Sequence, residues 1–157
     1  MLITIAKFFH LMSLVVWIGS IIFFSFFGAP SIFKVLDRSL AGDVVGSIFP
    51  KYWMIGYVCS SIALGTLLFL RKSGAENTTA RIILLSVMLV TVFFSGMVVG
   101  TKARTIKVEM RATEDVVMKE LIHKDFIRMH GVSMMMNLAV FIMGVVVIFN
   151  MAYYIKM

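Results

Sequence analysis

Residues 8–33 read FFHLMSLVVWIGSIIFFSFFGAPSIF and contain no Asp, Glu, Lys or Arg. That is more than the roughly 20 apolar residues a helix needs to cross the hydrocarbon core of a bilayer. Within the run His10, Ser13, Trp17 and Ser20 recur at steps of three or four residues, so on a helix they share one face. A span that is apolar all round except for one polar stripe has to hide that stripe from lipid. The other helices must supply the cover.

Three more uncharged runs follow: 52–70 between Lys51 and Arg71, 82–101 between Arg81 and Lys102, and 129–155 between Arg128 and Lys156. Each is long enough to span as a helix, which satisfies its own backbone in lipid. With the first span placed at about 4–28, the expectation is an all-α integral membrane protein of 157 residues, a single domain built as an antiparallel four-helix bundle. Composition agrees, since 61% of the residues are hydrophobic and only 15% are charged. The N-terminal run is too long for the roughly 7–15-residue apolar stretch of a secretory signal. Its small pair Gly28-Ala29 is also followed at once by Pro30, so it reads as a retained span.

The net charge of +7 sits at the ends of the apolar runs. That placement suits an anionic leaflet and topology control, with the lipid bilayer as partner and no nucleic acid. Lys34, Arg38 and Lys51 with seven basic residues between 102 and 128 give ten on one side. Lys7, Arg71, Lys72, Arg81 and Lys156 give five on the other. The excess of Lys and Arg predicts both termini outside a bacterial cytoplasmic membrane and the 102–128 connection in the cytoplasm.

In the first connection Leu36, Leu40, Val44 and Ile48 recur every four residues, which predicts a short interfacial amphipathic helix over 36–48 closed by Pro50. The second connection reads as a polar turn through Gly74 and Asn77. The third reads as a charged helical extension of spans three and four, meeting near Ala112-Thr113 with Thr113 as cap. His123 there reads as solvated. Tyr52, Trp53, Tyr153 and Tyr154 fall at span ends, where interfacial aromatics belong. Cys59 is the only cysteine and reads as a small core residue.

Two constellations bear on chemistry. His10-x-x-Ser13-x-x-x-Trp17 in the first span is echoed by His130-x-x-Ser133-x-x-x-Asn137 in the fourth. Polar groups at membrane depth point to a functional site, or else to hydrogen-bonded glue between helices at ~0.6 kcal/mol each. The two histidines lie near the N-terminal ends of oppositely directed spans, roughly 20 Å apart along the normal, which argues against one shared ligand. Met12 lies near His10, and Met129 and Met134 flank His130, among 14 methionines in all. Thioether with imidazole suits copper or one axial pair of haem b, while methionine is also an ordinary core filler. Gly96-x-x-x-Gly100 and Ser61-x-x-x-Gly65 permit close helix approach. No acidic residue lies within a span, and there is no phosphate loop, nucleophile elbow or H-E-x-x-H.

The stretches FFHLMSLVVWIG, AGDVVGSIFPKYW and FIRMHGVSMMMNL, most specifically Phe49-Pro50-x-Tyr52 and His130-Gly131-x-Ser133-x-x-x-Asn137, resemble the transmembrane protein 205-like family. Its bacterial members carry a domain of unknown function. A more distant likeness is to the copper-resistance protein D family, which shares a His and Trp in an early span. The resemblance implies four spans and is compatible with handling of a soft metal. Three roles stand open: binding or export of a small soft species such as copper through a His/Ser/Asn/Trp-lined interior, a haem b electron-transfer subunit, and an accessory subunit of a larger membrane complex or a homo-oligomer.

Overall fold

The computed structural model describes residues 1–76 and 78–154. Among them the chain forms four helices and no strand: α1 (Leu2–Val35), α2 (Arg38–Lys72), α3 (Thr79–Ala112) and α4 (Val116–Tyr153). Asn77, expected in the second turn, and Ile155 and Lys156, expected at the end of the last span, lie outside the described residues.

The breaks between helices are local chemistry. Asp37 leaves the helical region, and its carboxylate accepts from the backbone N–H of Ser39 and Leu40, which starts α2. That helix ends at Gly74, whose φ of 94° only glycine adopts without strain. Asp115 starts α4 by accepting from the N–H groups of Val117 and Met118. The expected cap Thr113 instead donates its hydroxyl back to the Glu109 carbonyl. Two hydrogen-bonding groups compete for that helix start, and the carboxylate two residues later takes it.

The contacts tie the helices into a ring. His10 of α1 meets Ala63 of α2, while Phe24 meets Phe49, so late residues of one helix face early residues of the next. Tyr57 stacks on Phe93 at 4.4 Å between α2 and α3. Ser95 faces Ser133 between α3 and α4, and Asn137 reaches Ser25 to close α4 onto α1. Trp17, Ile18, Ala63, Leu85, Met88 and Val147 fill the common core. The outside is apolar as well: Phe23, Phe26, Phe27 and Phe149 are all exposed. Only 17% of the most apolar stretch of α4 is buried, so packing within the chain does not account for its composition. All four helices are long and apolar enough to cross a membrane.

Two expectations are corrected. There is no separate helix over 36–48, because α2 runs from Arg38 straight through Pro50 to Lys72. Its packed face is Ala41, Val45, Phe49 and Trp53, one residue round from the expected stripe of Leu36, Leu40, Val44 and Ile48. The first connection is thus a charged extension of span two, clasped to α3 where Asp43 pairs with Lys107 (2.8 Å) and Arg111, and where Lys107 also donates to the Gly42 carbonyl. Trp53 is likewise buried at 7% exposure and Tyr52 half-buried, so neither is a lipid-interface aromatic. Tyr153 and Tyr154 are exposed.

Candidate functional site

A cavity of about 300 Å³ lies between the four helices, at the end nearer the charged α3–α4 connection. Every helix contributes: Trp17, Phe24 and Ser25 from α1; Phe49, Tyr52 and Trp53 from α2; Thr91 and Ser95 from α3; His130, Ser133 and Asn137 from α4. The walls are aromatic. Phe24 and Phe49 meet edge to face at 5.5 Å, and Phe49 stacks on Trp53 at 5.3 Å. Outside the cavity the Arg104 guanidinium sits 5.8 Å from the Trp53 ring centre, holding the indole from behind.

The polar groups form a short relay across three helices. The Tyr52 hydroxyl donates to Asn137 Oδ1 (2.5 Å), and Asn137 Nδ2 donates to Ser25 Oγ (3.2 Å). The hydroxyls of Ser95 and Ser133 lie 3.5 Å apart on the α3 side. Among the described residues no Asp, Glu, Lys or Arg lines the space. A site of this kind presents neutral donors and acceptors on one side and ring faces on the others.

The backbone is irregular at the same level. α1 widens to a π turn over Phe23–Gly28 and α3 over Ser95–Val99. Phe24, Ser25 and Ser95, which belong to those turns, all line the cavity. A π turn inserts an extra residue and shifts the phase of the helix, a device concentrated at functional sites.

The sequence-derived residues divide between two places. Trp17, His130, Ser133, Met134 and Asn137 line the cavity. His10 lies 15 residues before Ser25, about 22 Å of helix away. It is fully packed at 2% exposure, and its Nδ1 donates to the Ala63 carbonyl (2.9 Å) with Thr66 Oγ1 at 3.1 Å. That is an α1–α2 crosslink. Ser13 and Ser20 donate back to the carbonyls of His10 and Trp17 on their own helix. Met12 points outward at 42% exposure, and Met129 lies in a separate groove with Lys102 and Arg128. The donors invoked for copper or haem are therefore dispersed, and among the described residues no three His, Cys, Asp or Glu side chains are placed to hold a metal ion.

Gly96 and Gly100, the pair that permits close helix approach, are buried inside the chain. A Cβ on Gly100 would fall 1.9 Å from the Trp53 ring, and one on Gly96 would fall 1.8 Å from the Tyr57 hydroxyl. The glycines exist to admit those aromatics. Ser61 and Gly65 face outward.

Ser25, Thr91 and Ser95 escaped the sequence reading, and Tyr52 was read there as an interfacial aromatic rather than a lining residue. Ser25 continues the series Ser13, Trp17, Ile21 at four-residue steps, a signal that was present, but the π turn that keeps it facing inward leaves no mark in the sequence.

A family described as "Domain of unknown function (DUF4149)" matches residues 12–112. An uncharacterized protein of Aquifex aeolicus (strain VF5) is 37% identical over 134 residues, 85% of each chain. No solved structure matches the chain. These matches reach neither transmembrane protein 205 nor copper-resistance protein D. With about two thirds of its length covered by the family model and a bacterial relative at this identity, the chain belongs to the DUF4149 family.

Proposed function

We propose that this protein is an integral membrane protein, an antiparallel four-helix bundle that binds a small, neutral, planar molecule between its helices. The ligand class is an apolar ring with a carbonyl or hydroxyl edge, such as a quinone head group. One observation carries the reading: a single cavity shared by four apolar helices, with aromatic walls and the uncharged Ser25–Asn137–Tyr52 relay on one side. Carbonyl oxygens of a ligand would accept from the Ser133 and Ser95 hydroxyls, and the rings of Trp17, Phe49 and Trp53 would flank its faces. Among the described residues no carboxylate, ammonium or guanidinium lines the space, which argues against a charged ligand, whose desolvation only the His130 imidazole and neutral hydroxyls and amides would offset. By the ten-to-five split of basic residues, the cavity lies toward the cytoplasmic half and both termini lie outside.

The chain's two tryptophans both line the cavity, so intrinsic fluorescence reports on an occupant. Titrating the detergent-purified protein with decylubiquinone should give saturable quenching. The Asn137→Phe variant, which fills the space, should lose saturation, while His10→Ala should retain it. Linear, unsaturable quenching identical in wild type and Asn137→Phe would overturn the reading.

A further inference from the structure

A second groove, of about 390 Å³, lies between α3 and α4 outside the bundle core and is lined by Lys102, Ile106, Asp125, Arg128, Met129 and Val132. Lys102 is the first charge after the uncharged run 82–101, and Arg128 is the last before the uncharged run that begins at 129. Both cations therefore stand at the level where apolar helix gives way to charged helix. On the apolar side of them Met129 and Val132 form a floor, with Ile106 one turn further out along α3, and Val132 is 38% exposed. Nearby cations are already committed: Lys107 and Arg111 to Asp43, and Lys124 to Glu120. Lys102 and Arg128 form no ion pair among the described residues.

We infer that this groove is a binding site for one anionic phospholipid, with Lys102 and Arg128 on its phosphate and an acyl chain along Met129 and Val132. The inference rests on the membrane reading above. Two cations over an apolar floor, on the side carrying the excess of Lys and Arg, match the charge and shape of a lipid in an anionic leaflet. With two cations against the one Asp125 carboxylate the groove is net positive, which favours an anionic head group such as that of phosphatidylglycerol, whose hydroxyls Asp125 would accept from. A free phosphate would leave the floor uncovered.

The test is native mass spectrometry of the detergent-purified full chain with phosphatidylglycerol, phosphatidylethanolamine and phosphatidylcholine at equal concentration. One phosphatidylglycerol should be retained in preference. Lys102→Gln with Arg128→Gln should weaken that retention about 30-fold, each cation near the surface contributing roughly fivefold. Lys119→Gln with Lys124→Gln should leave it unchanged. Equal retention of all three lipids by the wild type, preference for phosphatidylethanolamine, or displacement by millimolar inorganic phosphate would each overturn the site. Carbonate washing of membranes separates the two failures. A wild-type chain that washes off refutes the membrane reading together with this one, whereas a chain that stays but shows no lipid preference refutes the lipid site alone.

Discussion

Gly100 and Asn137 show how single residues divide between packing and recognition. Gly100 leaves room for the Trp53 ring, whose position is also fixed by Phe49 and Arg104. Gly100→Ala should therefore cost about 1–3 kcal/mol, read as a lowered melting temperature in detergent. Gly65→Ala meets nothing within 4 Å and should be neutral or slightly stabilising. His10 behaves as structure. His10→Ala leaves the Ala63 carbonyl without its cross-helix donor and should cost about 1–3 kcal/mol in thermal unfolding, with ligand binding intact once folded. Asn137 is the opposite case, because the amide that bonds Ser25 and Tyr52 also faces the cavity. The sequence marked both polar stripes but could not separate these roles, since H-x-x-S reads alike in α1 and α4. What distinguishes them is the neighbour: a carbonyl of α2 against His10, open space beside His130.

Among the elements, the four apolar helices were legible because each is an uncharged run of the length a helix needs to cross a hydrocarbon core. The N-terminal part of α2 was not, because Pro50 signals a helix end and an apolar series at four-residue steps survives a shift of one position. The helix continues because Ala41, Val45, Phe49 and Trp53 give a face that packs along its whole length. Pro50→Ala should accordingly raise the melting temperature without raising helix content by circular dichroism. A gain in helix content would mean that 36–48 and 52–70 are separate elements in solution. The π turns in α1 and α3 were illegible for a different reason, as no residue type encodes them. The clasp of Asp43 on Lys107 and Arg111 joins charges far apart in sequence. It secures the α2 extension beside the cavity wall formed by Val45 and Phe49.

The whole molecule is a bundle whose outer surface carries many large apolar side chains, with the Ser25–Asn137–Tyr52 relay inside and most of its charges toward the ends. That distribution is what the proposed crossing of a bilayer, with alternate connections on opposite sides, would give. Cys59 is buried and is the only cysteine, so single cysteines can be introduced in a Cys59→Ala background. The direct measurement is labelling of Ser73→Cys, between α2 and α3, and Val116→Cys, at the start of α4, with a membrane-impermeant maleimide on intact cells and again after permeabilisation. Both positions are exposed. The account predicts that Ser73→Cys reacts in intact cells and Val116→Cys only once the membrane is opened; reaction of both from the same side would contradict it.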